Sequence, residues 1–223
     1  MSVLKAFALE IENLSVVLAG KTILRNISLK INDGSFTVIT GANGAGKSVF
    51  IKTLCGLQKH LGTVRMFGQD LKKNDKSIIG YVPQNNISEK NCPISVLEAV
   101  NIGRYVKSGL LKKFSDKDER IVKNALKFAG IEHIKNSTVG KISGGESQKV
   151  SIARVMAQRP RIVFLDEPQA GIDIESKKDF LNMIEKLHKK FKFTCIIVTH
   201  DTDCVPACSD KILKIEKSEI LEL

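Results

Sequence analysis

The sequence predicts an α/β fold built around a mostly parallel sheet, and three observations predict it. Short apolar runs of strand length, "FTVIT" (36–40), "RIVFL" (161–165) and "FTCIIVT" (193–199), alternate with stretches of helical spacing. The first of these runs leads directly into a glycine-rich loop that opens a helix. A chain of 223 residues, 43% hydrophobic and 26% charged, is also long and apolar enough to bury a core.

The elements follow in chain order. "ALEIENLSVVL" and "KTILRNISLKI" alternate apolar and polar residues around a turn at Ala19-Gly20-Lys21, which predicts an antiparallel pair. "NDG" (32–34) is a second turn, and "FTVIT" reads as a buried parallel strand followed by a helix through Leu54. "GTVRMFG" and "IIGYVPQ" predict further strands. From about Pro93 to Gly140 the chain turns Lys-rich, with helical spacing at Val96, Leu97 and Val100 and again at Ile121, Val122, Leu126 and Phe128. That stretch predicts an inserted helical subdomain, about 93–140, between two parts of one core, about 1–92 and 141–223. Ser143 and Glu146 have the S-x-x-E spacing of a capping box, so a helix should start there, with Gly144 and Gly145 presenting backbone N–H groups to an anion. A strand, a helix over "ESKKDFLNMIEKLHKK", a strand, a short helix and the strands "KILKI" and "EILEL" complete the chain.

Composition narrows the function. No apolar run approaches the roughly 18 residues of a membrane span, and the first residues do not read as a signal peptide. Five cysteines, an odd number, point to reduced thiols rather than a disulfide framework. The net charge of +11 is scattered, denser at "KKFSDKDERIVKNALK" and "KLHKKFK", and reads as solvated helix faces. With 5% aromatic residues there is no base-stacking stripe, so no nucleic-acid partner is expected.

The chemistry concentrates at "GANGAGKS" (41–48), which matches G-x-x-x-x-G-K-[ST] in its strand–loop–helix context. Glycines let the backbone wrap phosphates, Lys47 reaches the β- and γ-phosphates, and Ser48 offers a hydroxyl to Mg²⁺. A second strand ends at Asp166, a candidate Mg²⁺ partner, with Glu167 beside it to polarise an attacking water. A third ends at Thr199-His200. Parallel sheets bind ligands at the carboxyl ends of their strands, so Lys47, Asp166, Glu167 and His200 should meet at one edge. His200, Cys204 and Cys208 also fall at i, i+4, i+8, but Pro206 disturbs a helix there and the phosphate site accounts for His200.

These motifs resemble the ATP-binding subunit of ABC transporters along nearly the whole chain. "GANGAGKS" is similar to Walker A, "YVPQ" to the Q-loop with Gln84, and "ISGGESQKV" to the family signature. "IVFLDEP" is similar to Walker B with the catalytic glutamate, "QAGID" to the D-loop with Asp173, and "VTHD" to the H-loop. The resemblance implies a P-loop NTPase (RecA-like) core with an N-terminal antiparallel β subdomain and the inserted helical subdomain. It implies an ATPase with ATP and Mg²⁺ as ligands and Lys47, Glu167 and His200 as catalytic residues. Gly41, Asn43, Gly44, Ala45, Gly46, Lys47, Ser48 and Val49 would hold phosphates, and Ser48, Gln84 and Asp166 would serve the metal. Two subunits would pack head to tail, so that Ser143, Gly144 and Gly145 of one meet the ATP of the other.

The sequence departs from the family pattern in places. Leu18 stands where an aromatic residue often stacks on adenine, Val49 replaces a threonine after Lys47-Ser48, and Glu146 replaces a glutamine of the signature. "VNIGRYVKSGLLKKFSDKDE" resembles bacterial zinc, manganese and iron importers, and lacks the Pro-His that tends to follow Gly-Arg-Tyr in siderophore and cobalamin importers. The implied setting is the cytoplasmic face of the cell membrane. The implied partners are transmembrane permease subunits and a second copy of the chain, with an extracytoplasmic binding protein engaged only indirectly. The rival readings are importers of another substrate such as a metal chelate, and soluble ABC ATPases of translation or of iron–sulfur cluster assembly.

Overall fold

The structure, a computed structural model, describes residues 7–84, 93–109, 112–169, 174–201 and 205–223. Strands β1 (Phe7–Leu18) and β2 (Lys21–Asn32) form the expected antiparallel pair. Ala19 and Gly20 between them have φ of 46° and 76°. Two successive positive values are what a two-residue hairpin turn needs to match strand twist. Strand β3 (Phe36–Thr40) and helix α1 (Lys47–Leu54) follow, then β4 (Leu61–Met66), which pairs antiparallel with the other edge of β1, and the short β5 (Gln69–Asp70). This sheet runs β2-β1-β4-β5 and is the antiparallel subdomain expected at the N-terminus.

The second sheet is built from β3 with β6 (Ile79–Val82), β7 (Ile162–Asp166), β8 (Thr194–Thr199), β9 (Lys211–Glu216) and β10 (Glu219–Glu222). Its order is β10-β9-β3-β8-β7-β6, parallel throughout except at the β10–β9 edge. Every residue of β3, β7 and β8 is buried, because both faces are covered. The period of two sorts their side chains. Phe36, Val38, Val163, Leu165, Cys195 and Ile197 face the helical side. Ile39, Phe164, Ile196 and Val198 face α1 and the antiparallel sheet.

The helices are α2 (Val96–Ser108), α3 (Asp116–Phe128), α4 (Gly144–Gln158) and α5 (Ile174–Phe191). Three of them open on a reciprocal capping box: Ser95 with Glu98, Ser115 with Asp118, and Ser143 with Glu146. In α5, Phe180, Ile184 and Leu187 form the buried stripe, and Lys186, Lys189 and Lys190 stay exposed, as a solvated face requires. The helix α4 has no basic residue in its last turn. The neighbouring α2 supplies the cations instead: Arg104 Nη1 reaches the Ala157 carbonyl at 3.4 Å and Lys107 Nζ the Arg159 carbonyl at 2.9 Å. The two helices cross so closely at Gly103 that a Cβ there would run into the backbone carbonyl of Arg154. Arg104 also ties α2 to α3 through Asp118, Nε to Oδ1 at 2.6 Å. Of the short helix expected after Thr199, residues 202–204 lie outside the described residues, and 205–210 hold only turns. The described cysteines Cys55, Cys195 and Cys208 are free thiols.

Candidate nucleotide site

Strand register brings the site together. Thr40 of β3 lies beside Thr199 of β8, and Asp166 of β7 beside Val198, so three parallel strands end level with one another. The loop 41–46, the pair Asp166-Glu167 and His200 leave from those ends. Gly46 caps α1 with φ of 102°, a left-handed value that favours glycine. A side chain there would also meet Ile23 and Leu24 at 3.1 Å. Asn43 and Gly44 form the exposed tip of the loop, while Ala45 and Val49 pack on the apolar cluster below.

Lys47 is buried at 4% exposure, yet its ammonium is fully engaged. Nζ donates to the carbonyls of Gly41 at 2.9 Å and Ala42 at 3.1 Å, and it pairs with Glu167 Oε1 at 3.1 Å. A buried charge needs such partners. Glu167 lies just past β7 with φ of 45°, which turns its carboxylate back over the loop. Its Oε2 accepts a hydrogen bond from Gln84 Nε2 at 2.8 Å and lies 3.0 Å from His200 Nδ1. The predicted catalytic groups Lys47, Glu167 and His200 therefore converge on one carboxylate, with Gln84 joining from the end of β6.

A second cluster lies alongside. Ser48 Oγ donates to Asp166 Oδ1 at 2.9 Å, and the Tyr81 hydroxyl reaches Asp166 Oδ2 at 3.4 Å. Burial raises the Asp166 pKa and the charge of Glu167 adds to this, while the Ser48 hydrogen bond works against them. A hydroxyl and a carboxylate are hard oxygen donors of the kind Mg²⁺ takes, so the residues present fit a nucleotide-bound Mg²⁺. Gln84, also expected at the metal, has its amide nitrogen held by Glu167 instead of by this pair.

The remaining expected residues sit elsewhere. Leu18 is half-buried at the end of β1 and packs on the same apolar cluster as Ala45 and Val49. Asp173 and Cys204 lie outside the described residues. Ser143, Gly144 and Gly145 open α4 at a distance in sequence from the loop; Ser143 and Gly144 are exposed. The Ser143 hydroxyl accepts from the Glu146 N–H at 3.3 Å and donates to Glu146 Oε2 at 2.7 Å. Around Gly145 there is nothing within 4 Å of where a Cβ would stand. Alanine would fit this chain there and favour the helix by about 1 kcal/mol, so packing inside the chain does not call for glycine. The sequence reading missed the Lys47–Glu167 pair and the Tyr81 contact. Both depend on which strands are neighbours, and the Tyr81 signal lay inside a motif read only for Gln84.

Comparison with known proteins agrees with this geometry. The family model for ABC transporters matches residues 24–170. The manganese transport system ATP-binding protein MntB of Halalkalibacterium halodurans is 35% identical over 211 residues, 95% of this chain and 84% of that protein. The high-affinity zinc uptake system ATP-binding protein ZnuC of Bacillus subtilis is 38% identical over 200 residues, 88% of this chain and 86% of that protein. Among solved structures, cbiO1 of Clostridium perfringens, part of the ABC transporter complex cbiONQ, superposes with a TM-score of 0.84 at 29% identity. That alignment covers 97% of this chain and 88% of cbiO1. With the family model matched over most of the core and relatives above 30% identity over nearly the whole length, the chain belongs to the ABC transporter family as an ATP-binding ATPase subunit with a P-loop NTPase core.

Proposed function

We propose that this chain hydrolyses ATP to drive a divalent metal importer, with manganese or zinc as cargo, from the cytoplasmic face of the cell membrane. Relatives named for manganese and zinc transport support the cargo, as does the importer-like stretch 100–119. No helix among the described residues is long and apolar enough to cross a membrane, and in this reading transmembrane permease subunits provide the path for the metal. The metal itself does not touch this chain.

The observation that carries the ATPase reading is the convergence of Lys47, Gln84 and His200 on Glu167 beside the Ser48–Asp166 pair. In this reading the backbone N–H groups from Gly41 to Val49, with Asn43, Gly44, Ala45 and Gly46 between, cradle the phosphates, and Lys47 neutralises their charge. Leu18 lies under adenine. Mg²⁺, when bound, would supply further neutralisation at Ser48, Asp166 and Gln84. Glu167 orients a water and takes its proton as the water oxygen bonds to the γ-phosphorus and the bond to the bridging oxygen breaks. His200 donates to the γ-phosphate and stabilises the charge that develops. Two copies pack head to tail, and Ser143, Gly144, Gly145 and Asp173 of one complete the site of the other. The open space at Gly145 supports that arrangement, since a partner's phosphate needs the approach that a side chain would block.

The test is uptake of radioactive manganese and zinc in cells lacking the chain. Restoring the wild-type chain should restore uptake of one or both metals. Restoring Glu167→Gln, shown to be present at the membrane with a multi-span protein, should not. Normal uptake of both metals without the chain would overturn the cargo, and full uptake with Glu167→Gln would overturn the role of Glu167.

A further inference from the structure

The phenol of Tyr81 points at the carboxylate that faces the phosphate loop. Tyr81 on β6 stands in register with Phe164 on β7, and Asp166 follows two residues later on the same face of the sheet. A two-residue step along a strand is about 6.6 Å, within reach of a tyrosine side chain, so its hydroxyl can stand beside Asp166. The observed contact is 3.4 Å to Oδ2, while Ser48 holds Oδ1 at 2.9 Å. Asp166 is 1% exposed, and a buried carboxylate needs a donor for each oxygen. Among the described residues Tyr81 supplies the one hydrogen bond seen at Oδ2. A phenol ordinarily keeps its proton near neutral pH, so the hydroxyl acts as the donor in this contact.

We propose that Tyr81 is a positioning residue for the divalent-cation side of the nucleotide site: by holding Asp166 Oδ2 it fixes the carboxylate plane and keeps Oδ1 turned toward Ser48. This rests on the reading of Ser48 and Asp166 as the Mg²⁺ side of the site. The role proposed for Tyr81 acts through Asp166. Hydrogen bonds that orient metal-binding side chains typically govern metal affinity by about ten- to a hundredfold. The Tyr81 bond is longer than the usual O–H···O range, which places its effect at or below the lower end.

Tyr81→Phe removes the oxygen and leaves the ring. Binding of a fluorescent ADP is measured while Mg²⁺ is titrated, and again in EDTA, for wild type, Tyr81→Phe and Ser48→Ala, with thermal unfolding to check that each is folded. Tyr81→Phe should raise the Mg²⁺ concentration at half-effect by about three- to tenfold, with ADP affinity in EDTA within about twofold of wild type. Ser48→Ala should move the same midpoint. An unmoved Tyr81→Phe midpoint beside a shifted Ser48→Ala midpoint would overturn the inference and leave the site intact. Unmoved midpoints in both would overturn the assignment of the Mg²⁺ side itself, and the inference with it. Equal loss of ADP affinity with and without Mg²⁺ in Tyr81→Phe would make Tyr81 a packing residue and also overturn the proposal.

Discussion

The ammonium of Lys47 lies 3.1 Å from Glu167, so a phosphate that arrives at Lys47 meets a cation already paired with the residue assigned to orient water. In the proposed cycle the two roles of Glu167 oppose each other: the carboxylate would activate water in one step and compete with phosphate for Lys47 in the step before. Glu167→Gln should separate them. Turnover should fall by at least about a hundredfold. Affinity for ADP, which cannot be hydrolysed, should rise roughly fivefold, because the β-phosphate no longer displaces a full negative charge. Equilibrium binding of labelled ADP together with phosphate release reads both, and an ADP affinity equal to wild type would show that the pair yields to phosphate at no cost. Sequence spacing made Lys47, Glu167 and His200 legible as site residues, since each ends a strand or opens a helix. Their mutual distances were not legible, because the order of strands across a sheet is written in no local pattern.

At the scale of elements the capping boxes show how much local signal is available. The S-x-x-E of Ser143 predicts the start of α4, and the same arithmetic at Ser95 and Ser115 marks α2 and α3, although the spacing of apolar residues had already drawn attention to those stretches. Asp118 carries two duties, as the reciprocal partner of Ser115 and as the anion for Arg104. Hydrogen bonds from the Ser115 hydroxyl and backbone N–H, with Arg104 beyond them, hold its carboxyl down at about 2. A carboxyl depressed on folding contributes stability above its unfolded value, near 4, and loses it as pH falls through the folded value. Wild type should therefore outlast Asp118→Asn in urea at pH 6, with the gap between their midpoints narrowing below about pH 4 and closing toward pH 2. A gap that stays constant from pH 6 to pH 3, or no gap at pH 6, would show that Asp118 does not hold α2 and α3 together. The crossing of α2 over α4 had no such signal. A glycine in a helical run reads as a weak spot, and only the placement of Arg154 opposite explains Gly103.

At the scale of the molecule, both faces of the parallel sheet, the antiparallel subdomain and the helical insertion were legible from runs, alternation and composition. The sheet order was not, nor was the way one core cluster runs unbroken from α2 and α3 to β3, β7 and β8. The head-to-tail pairing is open to a mixing experiment. Lys47→Ala and Gly144→Asp are each combined with Glu167→Gln to hold any ATP bound. Mixed dimers should occlude ATP although neither variant does so alone, because one of their sites joins an intact loop to an intact signature. No occlusion in mixtures shown by tagged pull-down to contain the mixed dimer would overturn the pairing. Gly103 bears on how the proposed dimer would be coupled to the helical insertion. The close approach at the Arg154 carbonyl and the two cations on the terminal carbonyls of α4 hold α2 and α4 in one register. Helix α4 is 15 residues and about 22 Å long, so a small tilt at the crossing is a larger displacement at its end. In the proposed dimer, a displacement of α2 should therefore reach Ser143 through α4, and with it the gap that the second subunit's phosphate would enter.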